Sequence, residues 1–155
     1  MGSSSGKGRW TNPAFEECQK KRKIVNFPRA GRLVSKELSS ARQDLEEASD
    51  RMAHGKWKYA TINAYYSIFH AARALLYFSG FRERSHHCLA VALEALYVQR
   101  KQLDPSQVKS LRECMALREN ADYLGTFSKE GSIMSIRNAG QFIEAAETIL
   151  RRRLK

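Results

Sequence analysis

Between residues 34 and 52, Val34, Leu38, Ala41, Leu45, Ala48 and Met52 recur in alternating steps of four and three. Lys, Glu, Arg, Gln and Asp fill the gaps, so the pattern predicts an amphipathic helix with one apolar seam. The "HGK" at 54–56 ends it, with Gly55 as the C-terminal cap. The next segment, "WKYATINAYYSIFHAARALLYFSG", is apolar on nearly every side. Such a segment predicts the central, most buried helix, stopped by Gly80. Ile62, Tyr65, Phe69, Ala72 and Leu76 line one side of it; Asn63, Tyr66, His70, Arg73 and Tyr77 form a polar–aromatic stripe on another.

Three more helices follow from the same reading. Ser85 suits the N-cap of a third, running from His86 to about Lys101. "DPSQ" opens a fourth: Asp104 as N-cap, Pro105 at the first helical position, Gln107 completing a capping box. Its inner stripe reads Val108, Leu111, Met115, Arg118, Asp122. The fifth starts after Ser128 and carries Ile136, Ala139, Ile143, Ala146 and Leu150, with Gly140 either admitting a close neighbour or merely tolerated. No strand-like alternation is read anywhere. The expectation is an all-α bundle of about five helices over residues 32–155, preceded by a flexible basic leader over 1–31.

Composition changes this picture in two places. The net charge of +11 makes nucleic acid or another polyanion a natural partner. Residues 1–32 hold eight Lys or Arg against two Glu, however, and the chain ends RRRLK, so more than half of the excess falls on the ends. A dedicated binding surface and a merely solubilising charge both fit. Cys18, Cys88 and Cys114 are far apart and form no CxxC pair, which suits reduced thiols in a cytoplasmic protein and neither a disulfide framework nor a zinc site. "MGSSSGKGRW" has no apolar core of a signal peptide, and Asn63, His70 and Arg73 interrupt Tyr59–Phe78, so no membrane contact is expected.

Arg118 is the residue that most needs an explanation, one turn after Met115 on an apolar stripe. A guanidinium there is either paired with Asp122 at i+4 or projects into a groove, where its planar fork suits phosphate. His70 beside Arg73 raises the same question on the central helix. His86 and His87 are adjacent, about 100° apart on a helix, and have no further ligand at metal spacing. No Gly-rich phosphate loop or nucleophile motif is present, and no cofactor is expected.

"FEECQKKRKIVNF", "AYYSIFHAARALLYFSG", "SHHCLAVAL" and "LRENADY" together resemble the HEPN family, the higher eukaryotes and prokaryotes nucleotide-binding domains, and within it the small stand-alone prokaryotic branch. The resemblance implies a bundle of about five helices, a homodimer, and a polar cleft at or near the dimer interface. It also implies a nucleotidyltransferase partner in a toxin–antitoxin pair. Catalytic members are metal-independent endoribonucleases marked by an arginine, four to six intervening residues, and then histidine. Here the arginine is Arg118, the position five residues on is Tyr123, and no histidine follows His87. Tyrosine is a poor general base at neutral pH. The expectation is therefore a cleft of Arg118, Asp122, Tyr123, Tyr66, His70 and Arg73 that binds nucleotide or RNA without the usual ribonuclease chemistry. The alternative is a divergent endoribonuclease in which Arg118 works with His70, or with His86.

Overall fold

The structure, a computed structural model, describes residues 11–154. Helix α1 (Pro13–Lys20) is followed by strand β1 (Ile24–Asn26) and a 3-10 turn (Ala30–Leu33). Helices α2 (Val34–Ala53) and α3 (Trp57–Phe78) form the first hairpin. Strand β2 (Phe81–Glu83), α4 (His86–Leu93), a π-helical turn (Glu94–Val98), α5 (Pro105–Tyr123) and α6 (Lys129–Leu154) complete the chain. The all-α bundle is as expected.

Helix α3 is the axis of the fold and packs against α2, α5 and α6. Ala60, Ala64, Tyr65, Ile68, Ala71, Ala72, Leu75 and Leu76 are buried along it, and the alanines let neighbouring helices approach. Its boundaries follow local chemistry. Gly55 takes a left-handed φ of +72°, and the amides of Gly55 and Lys56 return to the carbonyls of Met52 and Arg51, a Schellman cap on α2. Gly80, at φ +85°, reverses the chain after α3.

Five expectations are corrected. The leader is not loose from Asn12 onward: Asn12 caps α1, with Pro13 at its first position, and Cys18, Ile24 and Ala30 are buried. The leader expected over residues 1–10 lies outside the described residues. Two strands exist, paired antiparallel with Ile24 opposite Glu83 and Asn26 opposite Phe81; at three residues each they are too short to display an alternation. The third helix does not run evenly to Lys101, because a π turn interrupts it after Leu93. There Tyr97 reaches inward and its hydroxyl donates to the Leu75 carbonyl at 2.6 Å. The capping box on α5 is half made: Asp104 accepts from the Ser106 amide at 2.9 Å, but Gln107 Oε1 is buried without a partner. Finally, Cys18 and Cys88 form a disulfide, with Cα atoms 5.9 Å apart, which joins α1 to the first turn of α4. Their 70-residue separation in sequence hid the pair. Cys114 is a free, buried thiol, and burial pushes its pKa up to about 12.

Gly140 meets nothing nearer than Leu45 Cδ2, 3.9 Å from where a Cβ would sit, so an alanine would fit there. Among the described residues no helix is long and apolar enough to cross a membrane.

Candidate functional site

The inward line of α5 is Val108, Leu111, Cys114 and Ala121, slightly rotated from the predicted stripe. That rotation leaves Arg118 on the edge of the core, facing α3, with its side chain 14% exposed. Its Nη2 donates to the Tyr66 hydroxyl at 3.1 Å and lies 3.4 Å from Asp122 Oδ2. The guanidinium carbon is 5.5 Å from the Tyr66 ring centre, 5.6 Å from that of Tyr65 and 5.3 Å from that of Tyr123. Three aromatic rings thus surround one cation. The pairing with Asp122 expected from the sequence is present, and the same guanidinium stands among three aromatic rings. Its Nε is buried and has no partner. Burial works against the charged form, but Tyr66, Tyr123 and Asp122 more than reverse this, so the guanidinium is held firmly protonated.

Tyr65 extends the recess toward α4. Its hydroxyl is 2.5 Å from His86 Nδ1, and the His86 ring is 4.7 Å from that of Phe69. Burial pushes the Tyr65 phenol far above its ordinary value. Burial also lowers the pKa of His86; Glu83 opposes this, and Arg118 and Arg73 add to it. Both groups are neutral at pH 7, and a phenol donating to Nδ1 leaves the ring proton on Nε2. The pH dependence follows with a definite sign. The folded state holds His86 with a lowered pKa, so the unfolded chain binds the extra proton first. Stability attributable to His86 is complete above about pH 6.5 and is lost as the pH falls below that value toward the folded pKa. Urea unfolding between pH 7.5 and 5 is expected to show this loss, and His86→Asn to flatten it. A slope unchanged by that substitution would contradict it.

His70 and Arg73 belong to a second cluster, further along α3. His70 Nδ1 is 2.7 Å from Glu37 Oε1 and its Nε2 is 3.6 Å from Asp44 Oδ2. Arg73 grips Glu83 through Nε, at 3.2 Å to Oε2, and Nη2, at 2.5 Å to the same oxygen; Glu37 stands 3.9 Å away. Its guanidinium lies 4.6 Å from the centre of the Phe69 ring. The six predicted residues therefore divide. Arg118, Asp122, Tyr123 and Tyr66 come together, whereas His70 and Arg73 make their contacts with carboxylates of α2 and β2.

Sequence reasoning did not anticipate Tyr65 in the recess or the buried acids Glu37 and Glu83. Tyr65 sits on the apolar stripe and reads as core. The acids fall outside any motif, and only the need to neutralise Arg73 points toward them. Among the described residues no group of three or more His, Cys, Asp or Glu is arranged to hold a metal ion.

At the meeting of α3 and α5, the bundle thus holds one partly buried arginine among three tyrosine rings. The family model for the HEPN domain matches residues 34–155, and the chain belongs to that family. Its function is accordingly related, in the broad sense, to nucleotides or RNA. No curated protein matches the chain.

Proposed function

We propose that this HEPN protein binds RNA or a nucleotide through the Arg118 cleft. It acts as a prokaryotic homodimer beside a nucleotidyltransferase partner, within a toxin–antitoxin pair. The observation that carries the binding reading is the unsatisfied Arg118 Nε beneath a fixed positive charge walled by Tyr65, Tyr66 and Tyr123. A phosphate oxygen supplies the acceptor this donor lacks, and a base stacks on exposed Tyr123. Asp122, more exposed than Arg118, turns outward when the ligand arrives. Arg118→Ala is expected to weaken binding of a fluorescent 12-nucleotide single-stranded RNA about 30-fold, from the 1.5–3 kcal/mol typical of a charge-assisted hydrogen bond. Equal affinity in the variant removes the cleft from the function.

One observation favours the endoribonuclease as a second reading. The imidazole nearest Arg118 in this network is His86, reached through Tyr65. As a base it accepts a proton at Nε2, which needs the tautomer with Nδ1–H donating to the phenol oxygen; the imidazolium so formed is the species that can then return a proton as general acid. RNA cleavage in EDTA, compared among the natural protein, Arg118→Ala, His86→Ala and His70→Ala, separates the two readings. Cleavage lost with Arg118 and His86 but kept with His70→Ala supports the enzyme; no cleavage by any of them leaves binding.

A further inference from the structure

We infer that the corner where α2 meets α3 carries a second nucleic-acid contact, a basic aromatic groove that stacks a base of single-stranded RNA leaving the Arg118 cleft. The inference rests on the RNA reading above and extends it to a site some distance along the same helix. A groove of about 340 Å³ opens there, floored by Trp57 and Tyr59 of α3 and faced by Phe127 from the connection between α5 and α6. Arg51, Lys56 and Lys58 line its rim. The volume is of the order a flat ring needs.

Three features select the occupant. The rings are open: Tyr59 is 49% exposed and Phe127 47%, and with Tyr123 and Leu124 they make up four of the five large exposed hydrophobics among the described residues. Cations accompany the rings, with Lys58 Nζ 5.5 Å and Arg51 Cζ 5.7 Å from the centre of Tyr59, and Lys129 Nζ 5.7 Å from that of Trp57. Charge is also in excess. Arg51 is paired with Glu47 at 2.8 Å, but Lys56, Lys58 and Lys129 make no ion pair among the described residues. An apolar protein partner has no use for three unpaired ammonium groups beside its contact. A single strand does, because each base offers a face to an aromatic ring while its phosphate meets a cation. The first turn of α3 has no side-chain cap, which adds partial positive charge there without carrying the argument.

Register joins the groove to the cleft. Tyr59 and Tyr66 are seven residues apart on α3, two turns, and so lie on one side of the helix about 10 Å apart. Arg118 covers Tyr66, Tyr123 lies against Arg118, and the chain from Tyr123 leads directly to Phe127 at the groove. A strand bound at Arg118 and running toward the N-terminus of α3 passes over Tyr59.

The test is fluorescence anisotropy with a labelled 12-nucleotide oligouridylate, run beside uridine monophosphate as a probe of the cleft alone. Tyr59→Ala is expected to weaken the 12-mer about tenfold and leave the mononucleotide unchanged. Tyr59→Phe is expected to keep full affinity. Lys56→Ala/Lys58→Ala is expected to reduce the slope of log affinity against log salt by about 1.4, from roughly 0.7 per phosphate contact on a single strand. All these side chains lie at the surface, and circular dichroism checks that the variants fold. Natural affinity in Tyr59→Ala and the lysine variant, with binding lost in Arg118→Ala, overturns the groove and keeps the cleft. Binding lost in Tyr59→Ala but not in Arg118→Ala keeps the groove and overturns the cleft. If the natural protein binds no RNA both fall, and loss of self-association in Tyr59→Ala by sedimentation then identifies a second copy of the chain as the occupant.

Discussion

Replacing Glu83 by alanine is expected to cost the fold about 3 kcal/mol, enough to bring urea unfolding to clearly lower concentration and to reduce the melting temperature by roughly 10 °C. The argument starts from Arg73, whose side chain is one-quarter exposed while that of Glu83 is 4% exposed. Burial alone disfavours the Arg73 charge; the hydrogen bonds and charge of Glu83 reverse this and hold the guanidinium protonated. Removing the carboxylate leaves a cation facing the Phe69 and Tyr77 rings with only Glu37, 3.9 Å away, to answer it. Breaking such a pair typically costs 3–5 kcal/mol, and partial exposure of Arg73 places this case at the lower end. Glu83→Gln keeps acceptors for Arg73 and should fall between. Arg73→Met/Glu83→Leu, which removes both charges, should regain most of the loss, and the difference between the cycles measures the coupling. A Glu83→Ala protein within 0.5 kcal/mol of the natural one would show that the pair contributes nothing. Because the cluster stands apart from Arg118, the folded fraction of Glu83→Ala should still bind RNA with natural affinity.

That separation marks the limit of what the sequence conveyed. Helical period, caps and glycines located α2, α3, α5 and α6, since each depends on neighbours within four residues. The N-cap and proline of α1, Asn12-Pro13, were equally local and were outweighed by the basic composition around them. The strands, the disulfide and the Arg73–Glu83 pair depend on contacts across turns, which periodicity does not encode. The same reason explains the divided site. Tyr66 and Arg73, two turns apart, lie on nearly one side of the helix but about 10 Å apart along it, and their neighbours differ there: Tyr66 meets α5, while His70 and Arg73 meet carboxylates of α2 and β2. The motif around Arg118 was legible as an off-pattern charge; the tyrosine that links it to His86 was not, because a buried phenol on an apolar stripe looks like core until its hydroxyl finds a partner.

Opening the Cys18–Cys88 bond is expected to cost more than any other single change, about 4 kcal/mol. The bond closes a loop of 70 residues that contains β1, α2, α3 and β2, and the chain-entropy relation for a loop of that length gives this figure. What remains to hold α1 is modest: the edge-on contact of Phe15 with Phe81 at 5.6 Å and the Asn12–Gln99 hydrogen bond at 2.9 Å. Cys18→Ala/Cys88→Ala, which leaves no buried polar group behind, should therefore melt about 13 °C below the natural protein at equal pH. Thiol titration checks the premise directly. In denaturant without reductant one thiol, Cys114, should react, and after reduction three should. Three reactive thiols before reduction would mean that the two cysteines are simply packed together, and the double variant should then lose only the small packing contribution of two sulfur atoms. The position of Cys88, two residues beyond His86 in the first turn of α4, gives the bond a bearing on the site. If it steadies the start of α4, the reduced protein should lose the acid-dependent stability assigned to His86 before it loses helical content, a sequence that circular dichroism and unfolding at pH 7.5 and 5.5 can resolve.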